Sequence, residues 1–225
     1  MIDAQPSESA MVPAAVLPLP IELDPEAACA PIAGEAPVVR AVDVLLRRIA
    51  ARRIVIAVAE PYRGAVADAV AADVTVLGVD PASDWRRAVQ AGLEELAPQP
   101  LSPILVHDWR HPLVPVDVVE RVLEGLAAGH RIVVPVTAMT DSVKEVGADG
   151  AVLTTIDRST LHNAQYPRGF AAATLADLLT RDADPVAAAA GAGEPVATVD
   201  GHADAGRFTL PADAALLEAI IATRR

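Results

Sequence analysis

The sequence is short of several residue types on which whole classes of protein depend. Its single cysteine, Cys29, excludes an internal disulfide and any cysteine-based metal cluster. It has one lysine, Lys144, and a formal net charge of −12 at pH 7, which argues against a general nucleic-acid or anionic-membrane surface. No apolar run of about 18 residues occurs, and the acidic start, with Asp3 and Glu8, does not resemble a secretory signal. We therefore expect a cytoplasmic protein with no nucleic-acid partner and no membrane partner.

Aliphatic residues are abundant, whereas aromatic ones are scarce. Hydrophobic residues make up 52% of the 225 positions, and only 3% are aromatic. This composition is far too apolar for a disordered protein and suits a core built from Ala, Val and Leu. The length allows one sizeable domain, and we predict a single domain over residues 1–225.

From residue 37 onward, apolar runs typical of strands alternate with stretches of helical spacing. Continuous aliphatic runs indicate strands that are covered on both faces. Short connections between alternating strands and helices predict a parallel sheet. The sequence thus predicts a Rossmann-like α/β fold with a doubly wound, mostly parallel sheet. The predicted strands are 54–59, 74–79, 104–107 and 132–136, and the predicted helices are 37–49, 62–71, 84–96 (capped by Ser83) and 116–128.

Both ends of the chain depart from this alternation. Residues 1–36 are rich in Pro and Ala, with one candidate strand at 11–15 followed by a predicted loop up to residue 37. Residues 142–146 and 152–156 flank a Gly-Ala-Asp-Gly turn, which predicts a β-hairpin arm that packs on a partner. The remaining predicted elements are helices at 170–179, 184–190 and 211–223 (with Pro211 in its first turn) and strands at 196–199 and 207–209.

Three segments should meet at the carboxyl edge of the predicted sheet, where open parallel sheets bind ligands. These are residues 12–15, 106–108 and 201–209. They carry two acidic residues, Asp108 and Asp204, which together would suit Mg²⁺ bound with substrate phosphates. Taken alone, either aspartate is better interpreted as a capping or solvated loop residue. His107 and His111 lie four apart but in a strand end and loop, so we interpret them as hydrogen-bonded loop histidines and not as a zinc pair.

An ordered series of motifs resembles the methylerythritol phosphate cytidylyltransferases. Any one of these motifs alone would be weak, but the same order and spacing along nearly the whole chain is specific. The matching stretches are VPAA (12–15, with the strand that opens P-A-A-G-x-G-x-R), VHDWRHPLV (106–114, with VHDAARPLV), DSVK (141–144, with D-T-[IV]-K), TIDR (155–158, with T-x-D-R), QYPRGF (165–170, with Q-T-P-Q-x-F) and GHADAGRFT (201–209, with G-x-x-[DE]-N-x-K-[IV]-T).

The resemblance implies a nucleotide-diphospho-sugar transferase fold and a homodimer that exchanges the hairpin arm at residues 138–160. It implies transfer of a cytidylyl group from CTP to methylerythritol phosphate with Mg²⁺, releasing pyrophosphate, in isoprenoid precursor synthesis. A small phosphorylated sugar or a nucleotide would be the ligand. The residues matched to the acceptor side are Ser142, Arg158 and Arg207, those on the nucleotide side are Ala14, Ala15, Arg110 and His111, and the metal would be held by Asp108 and Asp204.

The resemblance fails where the triphosphate should bind. The family has a glycine-rich turn whose backbone amides hold the phosphates, ending in an arginine. Here residues 16–20 read VLPLP, so prolines and alkyl groups replace those donors. The family's following lysine matches Ala28, and a nucleotide-contacting serine matches Ala88. The arginine of VHDAARP matches His111, although the neighbouring Arg110 could substitute for it.

We therefore predict a catalytically impaired or inactive homologue, a pseudoenzyme that acts by binding. The alternative is an active nucleotidyltransferase with a remodelled nucleotide site, in which Arg40 or Arg110 compensates for the lost cations. A third interpretation is a purely structural partner with no small-molecule site.

Overall fold

The structure is a computed structural model, and it describes residues 12–70, 73–100, 102–148, 150–182 and 184–223. In this part of the chain, no helix is long and apolar enough to cross a membrane.

A mixed eight-stranded sheet forms the centre of the molecule. Its strand order is β10-β5-β9-β4-β1-β2-β3, with β8 paired to β5. The pairs β1–β2, β1–β4, β2–β3 and β5–β10 are parallel, and β8 and β9 run antiparallel to their neighbours. The predicted doubly wound, mostly parallel α/β fold is confirmed. The strands are β1 (Ala14–Leu19), β2 (Ile54–Ala59), β3 (Thr75–Val79), β4 (Pro103–Val106), β5 (Ile132–Ala138), β6 (Val143–Val146), β7 (Val152–Ile156), β8 (His162–Ala164), β9 (Arg168–Ala171) and β10 (Ala197–Asp200).

Helices cover both faces of the sheet. On one face, α2 and α5 pack against Leu17, Leu19 and Ile56, and on the other, α4 and α6 pack against Val16 and Ile104. Successive residues of β1 thus point into different cores, as a strand buried on both sides requires. The helices are α1 (Pro25–Cys29), α2 (Pro37–Leu46), α3 (Arg63–Ala69), α4 (Trp85–Leu96), α5 (Val116–Ala127), α6 (Ala172–Arg181), α7 (Pro185–Gly191) and α8 (Ala214–Ala222).

The first strand corrects the prediction for residues 11–37. Met11 lies outside the described residues, and the strand runs over Ala14–Leu19, so residues 16–19 are a buried central strand and not a loop. Pro18 is tolerated there because β4 pairs with β1 only as far as Val16. Residues two apart in a strand direct their amides to the same neighbour, so the N–H that Pro18 lacks would have met no β4 partner.

Further corrections concern the second half of the chain. Residue 170 was predicted to begin a helix, but Phe170 lies in β9, between β4 and β5. Residues 207–209 form no strand, and α8 begins at Ala214, after Pro211. At the start of α4 the cap is Asp84 and not Ser83, because the Asp84 side chain accepts from the Arg87 amide.

The predicted β-hairpin is confirmed. β6 and β7 form a separate two-stranded antiparallel sheet. Its side chains are mostly exposed and include large apolar ones, with Val152 and Leu153 each more than 60% exposed. Val146 and Ile156 are further exposed apolar residues of the same hairpin.

Candidate functional site

The strand order places a crevice between the carboxyl ends of β1 and β4. From β1 the chain adds β2 and β3 on one side and then returns to place β4 on the other. Ligands of open α/β sheets bind outside the strand ends at such a switch point. Three segments border the crevice: residues 20–24 after β1, residues 107–111 after β4, and the first turn of α4, which follows β3.

The segment after β1 uses two of its amides within its own turn. Residues 21–23 form a 3-10 turn in which the Leu23 amide donates to the Pro20 carbonyl at 3.0 Å and the Asp24 amide donates to the Ile21 carbonyl at 2.9 Å. Asp24 then caps α1 by accepting from the Ala27 amide at 3.0 Å. Pro20 and Pro25 have no N–H to offer. Of residues 20–25, four therefore have no amide free for a ligand, so the segment offers fewer donors than a glycine-rich phosphate-binding turn.

Two hydrogen bonds fix this segment across the crevice. The Glu22 carboxylate accepts from the Trp85 amide at 2.9 Å, at the start of α4. The indole Nε1 of Trp109, a residue only 3% exposed, donates to the Leu23 carbonyl at 2.9 Å. The segment is thus held to both the α4 side and the β4 side of the crevice.

Asp108 is buried and bound by Arg110. Its Oδ1 accepts from the Arg110 amide at 2.9 Å and from Nε at 3.0 Å, and its Oδ2 accepts from Nε and Nη2. Burial by itself would raise the pKa of Asp108, but the hydrogen bonds and charge of Arg110 hold that pKa below its usual value. Burial would also lower the pKa of Arg110, yet Asp108, Tyr166 and Glu22 keep it raised. Asp108 and Arg110 therefore form a charged pair at the base of the crevice.

This arrangement does not fit the Mg²⁺ site predicted from Asp108 and Asp204. Both carboxylate oxygens of Asp108 already accept from a guanidinium, which a divalent cation would have to displace. Asp204 lies 3.5 Å from the imidazole of His202, and its amide donates to the same ring. Within the described ranges, no three His, Cys, Asp or Glu residues are grouped so as to hold a metal ion. The magnesium site remains a prediction, and Asp108 as placed here does not favour it.

Two histidines and a tyrosine pack beside the Asp108–Arg110 pair. The ring of Tyr166 lies 5.0 Å from that of His111 and 6.5 Å from that of His107, and the Arg168 guanidinium lies 4.6 Å from the Tyr166 centroid. Tyr166 stands where the resemblance has a threonine, so a large aromatic ring occupies this part of the crevice wall. Burial raises the pKa of Tyr166, with Asp108 adding to that effect.

His107 is fully buried, and neither of its ring nitrogens has a hydrogen-bond partner. Burial, reinforced by His111 and only partly offset by Asp108, lowers the pKa of His107 to about 3. The pKa of His111 is also lowered, mainly by burial, against the hydrogen bond to Ala205 and the charge of Asp108, with smaller lowering effects from Arg110 and Arg207. Both imidazoles are therefore neutral in the folded protein near pH 7.

The loop over residues 201–209 closes the far side of the crevice, as the sequence predicted. The His111 Nδ1–H donates to the Ala205 carbonyl at 2.9 Å, and the Phe208 amide donates to the Arg110 carbonyl at 2.8 Å. Arg207 is exposed and lies close enough to His111 to lower its pKa. The structure thus brings Asp108, Arg110, His111 and Arg207 together.

The remaining predicted site residues lie elsewhere. Ala14 and Ala15 were predicted on the nucleotide side, which is wrong: they form the fully buried amino end of β1, and the strand reaches the crevice only at Leu19. Ser142 and Arg158 lie at the arm, where both are exposed and Arg158 donates to the Thr140 carbonyl.

Sequence reasoning missed Glu22, Trp109 and Tyr166 at this site. A signal for Glu22 was present, since the buried apolar run of β1 continues to Leu19 and therefore places residues 20–24 at the strand end. The contacts of Trp109 and Tyr166 depend on the packing of distant segments, and no local pattern encodes them.

Comparisons with known proteins agree with this architecture. Residues 9–223 match the model of a family described as "IspD: 2-C-methyl-D-erythritol 4-phosphate cytidylyltransferase". The chain is similar to a 2-C-methyl-D-erythritol 4-phosphate cytidylyltransferase from Frankia casuarinae, with 36% identity over 97% of this chain and 83% of that protein. It is also similar to proteins of the same description from Rhodococcus jostii (33% identity, covering 98% of each chain) and Nocardia farcinica (35% identity, covering 99% and 97%).

Solved structures show the same fold at lower identity. A 4-diphosphocytidyl-2C-methyl-D-erythritol synthase superposes with a TM-score of 0.80 at 21% identity, covering 94% of this chain and 98% of the other. The 2-C-methyl-D-erythritol 4-phosphate cytidylyltransferase from Thermus thermophilus gives a TM-score of 0.72 at 24% identity, covering 93% and 98%.

Proposed function

Because this chain belongs to the 2-C-methyl-D-erythritol 4-phosphate cytidylyltransferase family, we propose that it is a divergent member that no longer turns over CTP at an appreciable rate and acts by binding. The parent reaction would transfer a cytidylyl group from CTP to methylerythritol phosphate and release pyrophosphate. Its place in isoprenoid precursor synthesis and its cytoplasmic location remain predictions.

One observation carries the proposal: most of the segment after β1 has no amide free for a phosphate, and the segment presents a carboxylate to the crevice instead. The amides of Leu23 and Asp24 bond within their own turn, and Glu22 reaches across to the Trp85 amide. A triphosphate at the switch point would meet this negative charge in place of donors. Preorganised donors and cations also stabilise the charge that develops on a departing pyrophosphate, so their loss affects rate as well as binding.

A second feature supports the proposal from the β4 side. Arg110, which could have replaced the arginine missing at His111, is already bound to Asp108 through Nε and Nη2. Using it for a phosphate would leave the buried Asp108 carboxylate unpaired, which is costly. One of the two arginines that could compensate in an active enzyme is thus engaged elsewhere.

The acceptor side retains more of the family pattern. Arg207 lies at the crevice near His111, while Ser142 and Arg158 lie at the arm and would reach a neighbouring subunit's crevice if the arm is exchanged in a homodimer. We propose that a small phosphorylated sugar or a nucleotide is the remaining ligand.

Pyrophosphate release in the presence of CTP, methylerythritol phosphate and Mg²⁺ tests the loss of activity. Release no faster than the background without protein is the expected result. Sustained release would instead support the alternative, an active cytidylyltransferase or nucleotidyltransferase with a remodelled site.

Calorimetry with methylerythritol phosphate and with CTP then separates a binding protein from a purely structural partner. Saturable heat is expected with at least one of the two compounds. Its absence with both would favour the structural role.

We further propose that the arm forms a homodimer interface, because a hairpin with several exposed apolar side chains is unfavourable in water. Replacing Leu153, 62% exposed, with Asp should halve the mass measured by light scattering after gel filtration. Ser159→Asp adds the same charge to the arm outside its strands and should leave the mass unchanged. A wild-type protein that elutes as a monomer at micromolar concentration would contradict this proposal.

A further inference from the structure

Strand β3 lies at one end of the central sheet. In the described part of the chain, it pairs with β2 on one side and with no strand on the other. Four of its five residues are partly exposed, whereas β1, β2 and β4 are buried along their whole length. Alternate backbone groups of a strand point to opposite sides, so the outward amides and carbonyls of β3 have no backbone partner among the described residues.

The sequence of β3 does not protect this outer edge. Exposed edges are usually blunted by charged residues, by proline or by a bulge, because their unpaired groups are a template for another strand. Residues 75–79 read TVLGV, with neither a charge nor a proline. The pairing of β3 with β2 is in regular register over all five residues. The outer edge is therefore competent to pair with a further strand.

A groove with a volume of about 560 Å³ lies between β3 and α4. α4 packs more closely on β1 and β2 than on β3, so the side of β3 that faces α4 is only partly covered. Leu77 and Val79 point to that side, into the clusters that α4 helps to form. A strand added to β3 would direct every second side chain to the same side, towards the groove. Sheets bind extended peptides in this way: main-chain hydrogen bonds supply affinity, and alternate side chains supply specificity.

The groove carries a net negative charge. Its charged lining residues are Asp80, Arg87, Glu94 and Glu95. The two glutamates are exposed in the last turn of α4, which has no basic residue. The helix dipole is negative at that end, so both carboxylates lie in an unfavourable field that a bound cation would relieve. A basic partner is therefore favoured, whereas a second copy of this chain would bring the same acids to the contact.

We propose that the outer edge of β3 and this groove bind an extended, basic segment of a partner protein, which pairs with β3 as a further strand. The proposal goes beyond the proposed function, because it concerns the edge of the sheet and not the crevice between β1 and β4. It holds whether or not CTP is turned over. A strand of five residues offers a small contact, so the binding should be weak and reversible.

Fluorescence anisotropy with a labelled synthetic peptide, in which lysine alternates with valine over eight residues, tests the proposal. Saturable binding to the wild-type protein is expected, and the same peptide with glutamate in place of lysine should bind at least about tenfold more weakly. Two further peptides carry N-methyl groups on all valines or on all lysines, which removes the N–H donors along one edge. One of the two should lose at least about tenfold in affinity, the worth of two main-chain hydrogen bonds, and the other should match the parent.

The N-methylated peptides keep the charge of the parent, so general attraction to an acidic protein predicts no difference between them. Equal affinities of both for the protein would overturn the proposal. So would the absence of saturable binding of the lysine peptide up to about 1 mM.

Variants of the protein locate the contact. Replacing both Glu94 and Glu95 with Gln should weaken binding of the lysine peptide by about three- to tenfold, because two exposed charges are lost from the groove. Replacing Glu124 in α5 and Glu218 in α8 with Gln removes two exposed charges elsewhere and should leave the affinity unchanged. Thermal unfolding first establishes that both variants are folded. An equal effect of the two double substitutions would contradict the assignment to this groove.

Discussion

Pyrophosphate release by this chain from CTP and methylerythritol phosphate should be at least about a thousandfold slower than by its Frankia casuarinae relative under the same conditions. A hydrogen bond to a charged group contributes roughly 1.5–3 kcal/mol net, so losing two cations and two or more amide donors removes on the order of 5–10 kcal/mol if the effects add. Each 1.4 kcal/mol of transition-state binding is about a factor of ten in rate.

The comparison needs a control for general damage to the protein. Far-ultraviolet circular dichroism and thermal unfolding should show that both proteins are folded at the assay temperature. Measuring the rate against CTP concentration then separates weak binding from slow chemistry. Both should be affected, because the missing groups would bind the triphosphate in the ground state and would stabilise more strongly the charge that develops on the departing pyrophosphate. A kcat/KM within tenfold of the relative's would contradict the prediction.

Acidification should destabilise the protein well before its carboxylates titrate. The pKa of His107 is about 3 in the folded state and near 6.5 when unfolded, so between these values the unfolded state binds more protons. Stability contributed by the neutral, buried imidazole is therefore fully present above pH 6.5 and is lost as pH falls. His107 alone should lower the free energy of unfolding by about 2–3 kcal/mol between pH 6.5 and 4.5, with His111 acting in the same direction.

Urea unfolding followed at several pH values measures this effect. His107→Leu removes the titrating group along with its two unpaired nitrogens, so its stability should depend less steeply on pH over the same range. His130→Leu is the control, because it removes an exposed histidine and keeps His107, so the steep pH dependence should remain. The pH range of the measurement stops at 4.5. At still lower pH, Asp108, whose pKa is lowered by Arg110, is protonated and its own contribution to the free energy of unfolding is lost. Equal slopes for wild type and His107→Leu would contradict the assignment.

How far the sequence predicted this molecule depends on how local each signal is. Strands such as β2 and helices such as α4 follow from patterns within a dozen residues, and both were predicted within one residue of their bounds. β1 was predicted too short because its prolines read as loop residues. Only the pairing of β4, which stops opposite Val16, explains why Pro18 can occupy a central strand. β9 was missed because its strand character comes from insertion between β4 and β5.

The candidate site shows the same division between features encoded by local sequence patterns and contacts that only the folded chain creates. The sequence alone placed Asp108, Arg110, His111 and Arg207 at one edge, because strand ends and motif order are encoded along the chain. It expected Asp108 to hold a metal, whereas the structure pairs it with Arg110, two residues away. The absence of glycine after β1 was visible in the sequence, but the position of Glu22 at the first turn of α4 joins residues 63 apart and required the folded structure.

The chain has only two tryptophans, Trp85 and Trp109, and both belong to the hydrogen bonds that fix residues 20–24 across the crevice. The intrinsic fluorescence of the unlabelled protein consequently originates from the two sides of this one opening. A compound that enters it and displaces the segment would place the Trp109 indole in a more polar environment, so its emission should move to longer wavelength. Ligand screens can therefore be read optically on the native chain, without a dye or a substituted residue.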